Sequence, residues 1–167
     1  MFRTINPEEL NDNLFKMIGR DWLLVTAEKD GKANTMTASW GGAGIMWGKP
    51  SAFVFIRPQR FTKEFVDGSQ EFSLTVLGSS HREILNYCGT VSGRDEDKIV
   101  KCGLTLAHEG KTPYFEEGNI VLICRKLFAQ ELAENSFLDK SIIEKWYPQR
   151  DYHTMYVAEI EKVLIKE

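Results

Sequence analysis

The stretch that decides the fold runs from residue 34 to residue 65 and reads NTMTASWGGAGIMWGKPSAFVFIRPQRFTKEF. Asn34–Trp40 alternates polar and apolar side chains, as a strand with one buried face does. Ser51–Arg57 is a dense aromatic and β-branched run ended by Pro58, which suits a buried strand. Between them, residues 36–50 hold two tryptophans, four glycines and no charge before Lys49. That ribbon is too rich in glycine for a packed helix and too short to cross a membrane. By pattern alone it reads as a strand end passing into a glycine turn.

Working outward, residues 21–29 (DWLLVTAEK) read as a strand, and the Asp30-Gly31 pair after it favours a two-residue hairpin into the return strand ANTMTASW. Residues 71–78, 119–132 and 152–165 alternate as further strands. Short helices are predicted over residues 6–19, 61–68, 80–89, 92–103 and 139–148. Few of the connections have room for a crossover helix, so the sheet is expected to be largely antiparallel. A sheet of this size tends to close, because closure removes exposed edges. The expected fold is mainly β: one small barrel domain over residues 1–167, with short helical insertions.

Composition narrows the function. The chain has 167 residues, 43% hydrophobic and 27% charged, with a net charge of −3. This argues against nucleic acid as the main partner. No run of apolar residues suits a membrane span, and MFRTINPEEL lacks the apolar core of a signal peptide, so a cytoplasmic protein is expected. Cys88, Cys102 and Cys124 are odd in number with no close pair in the sequence. That predicts neither a disulfide framework nor a zinc site, with Cys88 and Cys124 as buried packing residues. His81, His108 and His153 are not at metal-ligand spacing, so no metal is expected.

Three segments carry groups that suit a ligand. Thr37, Ser39, Gly41 and Gly42 offer hydroxyls and open N–H groups beside the flat face of Trp40, a set that suits a planar ligand with polar edges. Alternatively, this is only a polar strand end. In RPQRFT, Arg57 and Arg60 precede a helix with Thr62 at the expected N-cap, which suits phosphate or an ordinary capped helix equally. In VSGRDEDKI, Ser92 with Asp95 looks like a capping box, and Lys98 follows Asp95 by three. Two arginine-bearing helix starts in a small domain favour an anionic ligand between them.

Together with LNYCGTVSGRDEDKI and DYHTMYVAEIEKV, the 34–65 stretch resembles the flavin reductase-like, FMN-binding split-barrel family, and most of all its flavoredoxin-type branch. The resemblance extends from Trp22 to Val163. It implies a split β-barrel that forms a homodimer, with one FMN per subunit near the dimer interface. Asn34, Thr35, Met36, Thr37, Ala38, Ser39 and Trp40 would line the isoalloxazine and ribityl chain. Arg57, Arg60, Phe61 and Thr62 would form the next part of the site, with Arg60 and Thr62 on the 5′-phosphate. Ser92, Gly93, Arg94, Asp95 and Lys98 would complete it, with Lys98 reaching the phosphate or the ring edge, and His153 would lie near the flavin. The implied activity is an NAD(P)H:flavin reductase that passes hydride to flavin N5, with no catalytic side chain required. The alternatives are an electron-transfer flavoprotein with bound FMN and a protein partner, or a flavin- or haem-binding module without turnover.

Overall fold

The computed structural model describes residues 1–167. In chain order its elements are β1 (Phe2–Ile5), α1 (Leu14–Lys16), β2 (Leu23–Lys29), β3 (Lys32–Ala38), β4 (Gly41–Met46), β5 (Lys49–Ile56), α2 (Phe61–Gly68), β6 (Glu71–Val76), α3 (Arg82–Thr90), α4 (Lys98–Lys101), β7 (Leu106–Glu109), β8 (Thr112–Phe115), β9 (Ile120–Glu131), α5 (Ser141–Trp146) and β10 (Thr154–Lys166). The main sheet runs β3-β2-β6-β9-β10-β5-β4, with β1 also paired to β10, and every ladder is antiparallel. The two ends of this order, β3 and β4, are consecutive in the chain, with only Ser39 and Trp40 between them. The sheet therefore curls until its edges face each other across a gap that two residues bridge. This is the split barrel expected from the sequence.

Two register shifts in one long strand produce the curl. β10 is 13 residues long, with register shifts at Val157/Ala158 and Ile160/Lys162. Such irregularities bend a strand and raise its twist. The first half of β10 therefore pairs with β5 and its second half with β1. The core fills the concave side with Leu23, Val25, Met36, Val54, Ile56, Phe72, Leu74, Leu122 and Tyr156. Leu24, on the opposite face of β2, joins Leu77, Leu85, Cys88, Leu104 and Phe115 in a second cluster that docks α3 on the sheet. Burial on both faces explains why β2 reads as a solid apolar run.

The β2–β3 hairpin is as expected: Asp30 and Gly31 both have positive φ (52° and 72°), the signature of the mirror-image turn that matches strand twist. The glycine ribbon is not a turn. Gly41–Met46 is a strand paired with β5, and the turn falls at Trp47-Gly48 (φ 52° and 71°). A Cβ on Gly41 would lie 2.6 Å from the Phe53 carbonyl oxygen, and the Phe53 ring lies over Gly42 and Gly44. Gly41 therefore serves the close approach of β5.

The helix expected over residues 6–19 is broken. Asn6 and Glu9 cap a 3-10 turn at Pro7–Glu9, Asn13 restarts a helix by accepting from the Lys16 N–H, and a wide turn follows at Met17–Asp21. Asn11 donates to the Glu9 carbonyl and Asn13 accepts from the Lys16 N–H, and this side-chain competition for backbone groups interrupts the helix. The helix expected over residues 92–103 shrinks to Lys98–Lys101, because Asp97 is its N-cap: its carboxylate accepts from Ile99 and Val100. β1 and the β7–β8 hairpin were not anticipated.

Candidate functional site

At the split, a cleft of about 330 Å³ opens, lined by Met36–Trp40 at the end of β3, Phe55 and Arg57 at the end of β5, and Arg60, Trp146 and His153. Phe55 and Arg57 are two apart on one strand, so they share a face, while Val54 and Ile56 enter the core. Trp40 stands between Trp146 and His153, with ring centroids 5.1 Å from each. Trp40 is thus at the cleft, whereas Trp47 is 56% exposed and rests on Phe128 (6.0 Å), outside the core. The Thr37 hydroxyl donates to the Leu85 carbonyl (2.5 Å), which ties the β3 end to α3. The Ser39 side chain makes no hydrogen bond within the chain and is exposed beside the cleft.

His153 is buried, and burial together with the Arg57 cation pushes its pKa down to about 4. Its Nδ1 lies 2.6 Å from the Tyr147 hydroxyl. Tyr147 carries Arg57 over its ring at 5.0 Å, and Arg57 is held by the Asp151 carboxylate (2.6 Å) and the Trp146 carbonyl (2.8 Å). A neutral imidazole thus sits in the wall of the cleft, braced from behind by an ion pair and a phenol.

The family model for flavin reductase-like domains matches residues 16–167. The chain belongs to the flavin reductase-like family. Solved structures share the fold. An FMN-binding domain of a flavin reductase-like enzyme from Shewanella baltica aligns with a TM-score of 0.70 at 18% identity, over 99% of this chain and 77% of that one. Flavoredoxin from Methanosarcina acetivorans aligns with a TM-score of 0.69 at 23% identity, over 95% and 75%. An NADH:FAD oxidoreductase from Streptomyces globisporus aligns with a TM-score of 0.66 at 14% identity, over 87% and 75%. No curated protein matches the chain.

In this flavin reductase-like chain the motif residues separate into three groups. Met36, Thr37, Ala38, Ser39, Trp40, Arg57, Arg60 and His153 line the cleft. Asn34, Phe61, Gly93 and Arg94 line a second hollow of about 720 Å³ that shares no residue with it. Thr35, Thr62, Ser92, Asp95 and Lys98 line neither. Thr35 is buried between strands and bonded to Thr26 and the Val25 carbonyl. Thr62 is not an N-cap: it is the second residue of α2, and its hydroxyl accepts from Asn34 Nδ2 (2.8 Å). Ser92 caps no helix, and its hydroxyl accepts only from the Arg94 N–H. Asp95 lies outside α4 and makes no pair with Lys98. Phe55 and Trp146 are cleft residues that the sequence reading missed. Strand alternation could have flagged Phe55, while nothing local flags Trp146.

The four cations differ in one respect. Arg57 is paired with Asp151, and Arg94 with Glu64 while stacked over Phe61. Arg60 donates instead to the Gly89 and Cys88 carbonyls (2.7 and 3.3 Å), and buried Lys98 donates to the same Cys88 carbonyl (3.1 Å). A carbonyl satisfies a donor without cancelling its charge. Burial lowers the pKa of Arg60, and brings Lys98 down to about 8. Lys98 is thus still mostly charged at neutral pH.

Proposed function

We propose that this chain binds FMN in the cleft at the split and works as a flavin oxidoreductase of the NAD(P)H:flavin reductase type. The observation that carries the reading is the wall chemistry of that cleft. Trp40, Phe55 and Trp146 give apolar faces, the strand end Thr37–Ser39 gives polar edges, and Arg60 gives positive charge that no carboxylate offsets. Its volume of about 330 Å³ falls within the roughly 300–1,000 Å³ of small-molecule sites. These residues fit a planar ring system that ends in a phosphate.

Bound FMN would supply the electron-accepting ring that no side chain provides. The chain's own part is to hold and to polarise. Arg60, with Lys98 behind it, attracts the phosphate. The backbone of residues 37–39 meets the ring edge. His153 offers its Nε2–H to that edge as a fixed neutral donor, which favours negative charge developing there. No general base is needed. NAD(P)H would enter by the open mouth of the cleft, beside the paired Trp40 and Trp146 rings.

The exposed run Ile45, Met46 and Trp47 with Phe128 supports the homodimer that the resemblance implies. A second form of the reading, an electron-transfer flavoprotein, is favoured by the part-exposed Trp40 and Trp146, which leave the cleft accessible to a protein partner. No helix is long and apolar enough to cross a membrane, in keeping with the proposed cytoplasmic location.

The test is the absorbance spectrum of the purified protein with FMN, followed by NAD(P)H oxidation with added FMN or FAD. Flavin binding with turnover supports the reductase. Tight binding without turnover supports the electron-transfer form. No binding sinks both.

A further inference from the structure

The three cysteines are not alike. Cys88, on α3, and Cys102, the residue that closes α4, are fourteen apart in sequence, yet their sulfurs lie 4.0 Å apart. Cys124 is fully buried on β9 with no other thiol beside it. The fold thus makes a dithiol that the sequence spacing conceals. Two sulfurs at 4.0 Å are in contact, and a disulfide needs about 2 Å less.

α4 can supply that movement. It is a single turn of four residues, it belongs to no sheet, and Gly103 with φ +64° follows Cys102 directly. Lys98 and Cys102 are one helical turn apart, so both face Cys88. The Lys98 ammonium reaches the Cys88 carbonyl at 3.1 Å, so the face of α4 that bears Cys102 is already docked.

We infer that Cys88 and Cys102 are the site of a reversible intramolecular disulfide, made by hydroperoxides and undone by dithiol reductants. The two thiols have different roles. Cys102 is half-buried and open to an oxidant, whereas Cys88 is sealed and its thiol is pushed up to about 12 by burial. The Cys102 thiolate attacks one peroxide oxygen. The O–O bond breaks, hydroxide leaves, and Cys102 becomes a sulfenic acid. The Cys88 sulfur, losing its proton, attacks the Cys102 sulfur and displaces hydroxide. In sum, two thiols and one hydrogen peroxide give one disulfide and two waters. The thiols lose two electrons and the peroxide gains them. Burial disfavours the Cys88 thiolate that the second step needs, while the adjacent Lys98 and Arg60 charges favour it.

The bond would close a loop that contains the whole Ser92–Lys98 segment. It would fasten α4 to α3 at the carbonyl where Arg60 and Lys98 converge. The inference does not depend on what the cleft binds.

The experiment treats the full chain with hydrogen peroxide and quenches it. Unreacted thiols are then alkylated under denaturing conditions, and the protein is digested with trypsin without reductant. The expected result is a loss of two hydrogens in intact mass, with Cys124 alone alkylated. Peptide 83–94 should be joined to peptide 102–111, and dithiothreitol should restore both thiols. Cys102→Ser, at the more exposed position, should abolish the joined peptide. Three alkylated cysteines, a link to Cys124, a covalent dimer, or over-oxidation of Cys102 with no link would each overturn the inference.

Discussion

The Tyr147 hydroxyl lies 2.6 Å from Nδ1 of His153, with both side chains buried. The phenol has one proton to place and no other partner, so it donates to Nδ1. That leaves the ring hydrogen on Nε2, which has no hydrogen-bond partner within the chain, on a residue that lines the cleft. The pairing therefore decides which face of the imidazole the cleft meets.

Tautomer selection is visible by long-range proton–nitrogen NMR on the protein without ligand. The wild type should show an Nε2–H imidazole at neutral pH. Tyr147→Phe should change both the Nδ1 shift and the titration midpoint of His153. A wild-type Nδ1–H tautomer would contradict the arrangement, whatever the flavin result.

The same histidine predicts a pH dependence of stability. Its folded pKa of about 4 lies below the unfolded value of 6.5. Above pH 6.5 the ring is neutral in both states and its contribution is fully present. As the pH falls from 6.5 to 4, the unfolded chain takes up a proton that the fold refuses, and stability drops by about 1.4 kcal/mol per pH unit at most. Arg57, Asp151 and Tyr147 face the ring, and of these Asp151 works against the shift. Urea midpoints of wild type and His153→Gln should diverge between pH 6.5 and pH 4 and run parallel above that range.

Arg60→Ala should weaken FMN about 10–100-fold while changing riboflavin little, because a charged hydrogen bond contributes about 1.5–3 kcal/mol. Arg94→Ala, already neutralised by Glu64, should alter the FMN affinity less. Isothermal titration with both flavins checks this. An equal loss for FMN and riboflavin in Arg60→Ala would remove Arg60 from the phosphate.

Gly93→Ala should destabilise the fold by about 1–3 kcal/mol. A Cβ there would fall 2.0 Å from Asn34 Oδ1, and Asn34 holds the Thr62 hydroxyl. The double variant Asn34→Ala/Gly93→Ala should recover part of that loss, since the clash needs both side chains. Chemical denaturation of the four proteins gives the coupling.

Much of this was legible before the fold was known. The Asp30-Gly31 hairpin was readable because a short-range rule governs it. The strand Ser51–Arg57 was readable because its residues are wanted nowhere else. β4 was hidden because its glycines erase the alternation that marks a strand, and the reason for Gly41, the Phe53 carbonyl, lies on a neighbouring strand. The N-cap of α4 went to Asp97 over Ser92, a competition among adjacent polar residues that pattern does not rank. At the site, the β3 end, Arg57, Arg60 and His153 do come together. The neutralising partners Asp151 and Glu64 were not foreseen, nor was the Cys88–Cys102 contact, since each depends on chain crossings that only folding makes.

The placing of Trp40 against the Trp146 and His153 rings also makes the cleft its own optical gauge. Of the four tryptophans, two border the cleft and two stand elsewhere, Trp22 beneath Arg82 and Trp47 on Phe128. A planar, light-absorbing guest would darken the first pair and leave a residual glow from the second. Occupancy can therefore be followed by the chain's own emission, with no label attached.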